Sequence, residues 1–125
     1  MLVVDDHPVN RAVMRRLLTA LGCRVLLADS GEAALAMLDR EPPDLVLMDC
    51  EMPGMDGCET TRRILSDAGW SKVPVVALTA HLFEAERDRC LEAGMREVAT
   101  KPISRTALAE LLARYAAPRM QMLSA

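Results

Sequence analysis

Short apolar runs alternate along this chain with longer segments in which apolar residues recur every three or four positions. The runs cover residues 2–4, 23–28, 44–48, 73–78 and 97–100, each bounded by Pro, Gly or charged residues, and they have the length of strands. Near-continuous apolar strands separated by helical periods predict a parallel sheet covered by crossover helices. After the first run, Pro8 stands where a first helical turn tolerates proline. Val9, Val13, Leu17, Ala20 and Leu21 then repeat at three and four before Gly22 stops the helix. Ser30 is placed to cap a second helix carrying Ala34, Leu35 and Leu38, which must end before Pro42-Pro43. Three more helices are expected at about 59–68, at about 84–93 with Gly94 as its stop, and at about 105–115. On the last of these Leu108, Leu111, Leu112 and Tyr115 make one stripe.

Five strand-helix pairs in about this length predict an α/β, flavodoxin-like (βα)5 fold. Its five-stranded parallel sheet has the order 2-1-3-4-5 with helices on both faces, and its ligand crevice lies at the carboxyl ends of the strands where that order reverses. The 125 residues suffice for one domain with its own core. That domain is expected over 1–117, with 118–125 as a tail or linker lacking amphipathic period.

A net charge of −3 and a single Trp, Tyr and Phe supply neither the basic footprint nor the stacking platforms of a nucleic-acid binder. Cys23, Cys50, Cys58 and Cys90 fit no zinc spacing and no secreted disulfide scaffold, so they read as reduced thiols in a cytoplasmic setting. Cys50 adjoins Asp49 and is expected to be a small buried thiol. No apolar stretch approaches the ~18 residues of a membrane span, and the start Met1-Leu2-Val3-Val4 has no signal-peptide pattern. Membrane contact by this domain is not expected.

The predicted carboxyl edge then selects the chemistry. The first strand ends in Asp5-Asp6, the third in Asp49, the fourth in Thr79 and the fifth in Lys101-Pro102. Two carboxylates about 4 Å apart repel by roughly 4 kcal/mol at an effective dielectric of ~20, so three of them need a counter-charge. Asp5, Asp6 and Asp49 are the oxygen ligands that Mg²⁺ takes, and no His/Cys set for a softer metal accompanies them. Lys101 adds a mobile ammonium and Thr79 a hydroxyl, both suited to phosphoryl oxygens. An aspartate can itself attack phosphorus and form an acyl phosphate, and Asp49 is the central candidate.

Val3-Val4-Asp5-Asp6, the run Val46-Leu47-Met48-Asp49-Cys50-Glu51-Met52-Pro53-Gly54-Met55-Asp56-Gly57, Leu78-Thr79-Ala80 and Lys101-Pro102 closely resemble receiver domains of two-component response regulators, over nearly the whole chain to about Tyr115. The resemblance implies that Asp49 is the phosphoacceptor and that Asp6 and Asp49 ligate Mg²⁺, for which Mn²⁺ can substitute. Asp5 then acts through a metal-bound water, and the Glu51 backbone carbonyl completes the protein ligands. Thr79 bonds the phosphoryl group, Lys101 pairs with it, Pro102 follows a cis peptide, and Gly57 closes the turn behind the acceptor loop. Glu51 and His81 flank the path of attacking water and tune the phosphate lifetime. Val98 stands where many receivers carry the Tyr or Phe that moves on phosphorylation. A muted switch is therefore expected, with the domain acting as a monomeric phosphate shuttle whose α4-β5-α5 face changes little.

Val9-Asn10-Arg11, Ala77-Leu78-Thr79-Ala80-His81 and Gly94-Met95 look more like receivers of hybrid sensor histidine kinases than like free-standing regulators. A chain opening inside its first strand also suits a piece of such a parent, a histidine kinase, whereas the domain itself is expected to catalyse only its own phosphorylation and dephosphorylation. The implied partner is a histidine phosphotransfer domain or a kinase dimerisation domain. It is expected to dock on the exposed side of the first helix around Asn10, Arg11, Met14 and Leu18, because Met14 and Leu18 widen the apolar stripe beyond one buried face. Two other readings compete. A phosphohydrolase of the haloacid dehalogenase type would carry D-x-D on the first strand, where this chain has Asp5-Asp6-His7. A pseudo-receiver, a pure interaction module, would lack part of the acid, hydroxyl and lysine set.

Overall fold

Runs rich in Val, Leu and Met become strands of a sheet that helices cover on both faces. In the computed structural model, which describes residues 1–52, 54–81 and 83–115, these are β1 (Leu2–Val4), β2 (Leu26–Ala28), β3 (Val46–Asp49), β4 (Val75–Thr79) and β5 (Glu97–Thr100). They pair in parallel in the order β2-β1-β3-β4-β5, as the alternation of elements predicts. Each strand is followed by a helix: α1 (Pro8–Ala20), α2 (Gly31–Leu35), α3 (Gly57–Ser66), α4 (Glu84–Glu92) and α5 (Arg105–Tyr115). Strand side chains alternate between two cores. Leu2, Val4, Val46, Met48, Val75 and Ala77 pack toward α2, α3 and α4, with Ile64, Trp70 and Cys90. Val3, Leu47, Val76 and Leu78 pack toward α1 and α5, with Met14, Leu18, Leu108, Leu111 and Leu112. Among the described residues, no helix is long and apolar enough to cross a membrane.

The helix ends follow local chemistry. The Asp56 side chain accepts from the Glu59 N–H at 2.8 Å, so α3 starts at Gly57, ahead of the predicted 59. Ser30 caps α2 as expected, accepting from the Ala33 N–H at 3.0 Å, yet the regular helix lasts only to Leu35. From there the chain winds on through tighter bonds, Leu38 N–H to Leu35 C=O and Arg40 N–H to Met37 C=O, before Pro42-Pro43.

On α1 two pairs of residues exchange places relative to the sequence expectation, while Leu17 and Leu21 are half-buried against the core as expected. Met14 and Leu18, expected on the exposed partner side, are buried at 5% and 0% exposure. Val9 and Val13, expected inside, are 72% and 50% exposed. The repeat at three and four fits either set on an equal footing, and Met14 and Leu18 are the larger side chains available to fill the space between α1, α5 and the sheet. Asn10 and Arg11 stay half-buried. The expected tail at 118–125 lies outside the described residues.

Candidate functional site

Strand register delivers the polar residues to one rim. Val4 pairs with Met48 and Asp49 with Leu78, so Asp5, Asp49 and Thr79 arrive at the carboxyl ends of adjacent strands. Thr79 pairs with Thr100, and the Lys101 N–H then donates to the Thr79 carbonyl at 2.7 Å, which brings Lys101 to the same rim. The Lys101-Pro102 peptide is cis, as the resemblance implies. Gly57 sits so close behind the acceptor loop that a Cβ there would stand 2.5 Å from the Asp49 carbonyl oxygen. Any larger residue would push β3 and α3 apart.

Asp5 and Asp49 are buried, at 2% and 1% exposure. The Lys101 ammonium lies 2.9 Å from Asp49 Oδ1 and 3.5 Å from Asp5 Oδ2. Backbone donors also hold the carboxylates in place: the His7 N–H donates to Asp5 Oδ1, and the Glu51 N–H donates to the same Asp49 Oδ1 that Lys101 meets, each at 2.9 Å. Arg11, expected to serve a partner, donates Nη1 to the Asp5 carbonyl at 2.8 Å and so is partly committed to the rim. Burial pulls the Lys101 pKa down. The hydrogen bond to Asp49 and the charges of Asp49 and Asp5 more than offset this, and the net displacement is upward.

One ammonium faces three carboxylates. Ligand oxygens of Asp5, Asp6 and Asp49 all lie within 4.8 Å of one another. Asp6 Oδ1 and Asp49 Oδ2 are buried with no hydrogen-bond partner, the His7 ring being 3.9 Å from the former. Buried anionic oxygens without a donor are costly, and a small hard cation with oxygen preference satisfies both atoms at once. The donor set therefore fits Mg²⁺.

Thr79 reaches the rim, but its hydroxyl is engaged on the α4 side. It lies 3.0 Å from Glu51 Oε1, 3.0 Å from the His81 carbonyl oxygen and 3.4 Å from Glu86 Oε2, and it accepts from the His81 N–H at 3.2 Å. Glu51 and His81 flank this hydroxyl, and the His81 ring stacks on Phe83 with centroids 5.6 Å apart. Nothing in the sequence pattern singles out Glu86, one acid among several on a charged helix. Cys50 is half-buried with its Sγ 3.2 Å from Cys90 Sγ. Burial, then the Cys90 contact and the Asp49 charge, push its thiol far up, so it stays protonated beside the acids. Val98 on β5 is half-buried against the α2–α4 core.

Fold and rim together define a flavodoxin-like α/β protein whose switch-point crevice holds an acid cluster and a lysine. The family model for the response regulator receiver domain matches residues 1–113, and the chain belongs to that family. It is 43% identical over 117 residues to the sensor histidine kinase GacS of Pseudomonas protegens, covering 91% of this chain and 13% of that protein. It is 44% identical over 115 residues to the sensor histidine kinase RcsC of Salmonella typhi, covering 92% of this chain and 12% of that protein. The chain thus spans about an eighth of the curated relatives it matches. Among solved structures, it resembles the receiver domain of the sensor histidine kinase PA1611 of Pseudomonas aeruginosa, which has a magnesium ion coordinated in its active site cleft. That likeness has 39% identity and a TM-score of 0.84, covering 91% of this chain and 93% of that one. The chemotaxis protein CheY4 of Vibrio cholerae matches at 25% identity and TM-score 0.86, covering 91% and 95%. Membership of this family decides for the receiver over the phosphohydrolase reading.

Proposed function

We propose that this receiver domain accepts a phosphoryl group from a phosphohistidine onto Asp49 and passes the signal on within a phosphorelay. The observation that carries the reading is the acid cluster of Asp5, Asp6 and Asp49, with its two buried unpartnered oxygens, facing Lys101. A carboxylate oxygen of Asp49 attacks phosphorus, the phosphorus–nitrogen bond to the donor imidazole breaks, and the electron pair stays on the imidazole nitrogen. Lys101 shifts from Asp49 to the arriving phosphoryl oxygens, and Thr79 turns its hydroxyl to another. Asp6, Asp49 and the Glu51 carbonyl would hold Mg²⁺, or Mn²⁺ in its place, and Asp5 would act through a water. When present, the cation neutralises charge on the phosphoryl oxygens.

Gly57 keeps the acceptor loop in position, and the Lys101 N–H bond to the Thr79 carbonyl keeps the lysine at the rim. Glu51 and His81 set the phosphate lifetime by controlling water on the outer side. Val98 offers no ring to swing, so β5 and α5 change little and the domain stays a monomer. The domain comprises residues 1–117, with 118–125 as a tail or linker. It works on the cytoplasmic side as part of a hybrid sensor histidine kinase, the kinase activity residing in the parent chain. The similarity to receiver regions of sensor kinases supports this setting.

The partner is a helical histidine phosphotransfer or dimerisation bundle docking on α1 beside the rim. With Met14 and Leu18 buried, the apolar anchors for that bundle are Val9 and Val13, flanked by Asn10 and Arg11.

Intact mass after incubation with acetyl phosphate tests the function. The wild type with Mg²⁺ gains one phosphoryl group, and it gains none in excess chelator or as Asp49→Asn. Labelling that survives either change contradicts the reading, and an unlabelled wild type indicates a pseudo-receiver.

A further inference from the structure

A threonine hydroxyl has one proton to give, and at Thr79 that proton already has three acceptors. Glu51 Oε1 and the His81 carbonyl oxygen lie at 3.0 Å and Glu86 Oε2 at 3.4 Å, while the His81 N–H occupies a lone pair of the hydroxyl oxygen. Thr79 is 1% exposed, so water does not compete freely for its proton. Two of the acceptors are carboxylates on separate elements, Glu51 in the β3–α3 loop and Glu86 in the first turn of α4. They converge on one hydroxyl, and among the described residues neither has another hydrogen-bond or ion-pair contact at its side chain. A phosphoryl group on Asp49 would be a fourth acceptor and would bring further negative charge to the same place.

We propose that Glu86 is a positioning residue that holds the Thr79 hydroxyl toward α4, and that phosphorylation of Asp49 releases it. This rests on the receiver reading of the site. Before phosphorylation, the carboxylates of Glu51 and Glu86 bias the hydroxyl away from Asp49. Once the phosphoryl oxygens take the proton, Glu86 loses its donor and is repelled by the new charge. The first turn of α4 then loses its tie to the end of β4. That turn has little else to hold it, since Cys90 is the sole buried residue of α4 and lies near the other end of the helix. A signal thus reaches α4 without the aromatic that Val98 replaces, so that α4 departs from the muted α4-β5-α5 face expected from Val98 while β5 need not move.

Two measurements on the 125-residue chain test the proposal. The first is the acetyl phosphate labelling rate with Mg²⁺ for wild type, E86A, E86Q and R87A, the last altering an exposed neighbour on α4. Removing a competing acceptor is worth about a modest hydrogen bond, so E86A should label at least about threefold faster. E86Q, which keeps an acceptor oxygen without the charge, should fall between E86A and wild type, and R87A should match wild type. The second is amide hydrogen exchange with and without beryllofluoride and Mg²⁺. In wild type the amides of 84–89 should exchange faster on binding while the 50–56 loop becomes protected. In E86A the α4 amides should exchange fast from the start and respond no further. Equal labelling of E86A and wild type, or α4 exchange unchanged while the loop is protected, overturns the proposal and leaves the receiver reading standing. Absence of both labelling and loop protection in wild type overturns both.

Discussion

The rim over β1 and β3 and the flank formed by α4 and β5 differ in how firmly they are held. β3 and β4 are buried along their whole length, and the rim carboxylates are fixed by Lys101 and by backbone donors. On the flank, β5 is half-buried with Thr100 exposed, α4 buries Cys90 alone, and the Thr79 hydroxyl is divided among three acceptors. The acceptor Asp49 sits on a fully buried strand, whereas α4, which meets the end of β4 through Glu86, lies where local opening costs least. The difference teaches that charge alone does not mark the chemical centre. Glu51 and Glu86 are acids near the rim as well, but they have a hydroxyl to share rather than orphaned oxygens and a lysine.

Substitutions on the firmly held side should have the largest effects. Leu18→Ala empties a fully buried position between α1 and the sheet, and it is expected to cost about 2–5 kcal/mol in denaturant unfolding. Val13→Glu, one turn away on the exposed side, should leave stability within about 0.5 kcal/mol. It should nevertheless slow phosphotransfer from a histidine-phosphorylated bundle and leave acetyl phosphate labelling unchanged. Equal destabilisation by the two would erase the distinction between the faces of α1. Next in size, Lys101→Ala removes the ammonium that pairs with Asp49 and Asp5 and is proposed to meet the phosphoryl oxygens, and acetyl phosphate labelling should slow by about a hundredfold. A loss below threefold would move the chemistry off the rim.

Flank substitutions should alter timing alone. Glu51→Ala and His81→Ala are each expected to change the dephosphorylation rate severalfold, followed by loss of the phosphorylated mass, with stability nearly constant because both positions are exposed. Identical decay in all three proteins would remove these residues from the account.

The smallest effect concerns the far end of α5, where the Tyr115 hydroxyl donates to Glu97 and Arg114 Nη2 lies 2.8 Å from the same carboxylate. Burial, then the hydrogen bond and charge of Glu97, raise the Tyr115 pKa. The folded state therefore holds the phenolic proton more tightly than the unfolded chain does. This contribution is complete below about pH 10, the unperturbed value, and is lost as pH rises through the folded pKa. The Lys101 bridge, also raised, fails in the same direction. Wild type should lose stability at high pH slightly more steeply than Tyr115→Phe in thermal scans, and parallel curves would dismiss the Tyr115 share.

The fold was legible because its signals are redundant. Five apolar runs, Gly22 and Gly94 as helix stops and the Ser30 cap all point to one topology, and strand ends then select Asp5, Asp6, Asp49, Thr79 and Lys101 with no knowledge of side-chain packing. The faces of α1 were not fully legible, because Val9 and Val13 on one side and Met14 and Leu18 on the other have the same period and similar hydrophobicity. Only the space left by α5 decides between them. Glu86 was hidden for another reason. Its role depends on a side chain crossing from α4 to the end of β4, and local sequence carries no signal for such a meeting.

Asp49, the acid under Lys101, is proposed to become an acyl phosphate. Borohydride reduction of the phosphorylated domain, followed by peptide mass mapping, tests it most directly, because an aspartyl phosphate is reduced to homoserine while free carboxylates are untouched. Homoserine at position 49 alone, dependent on Mg²⁺ during phosphorylation, is the predicted result. Reduction at Asp5, Asp6 or any other position, or none in a domain that has gained phosphate, would contradict it.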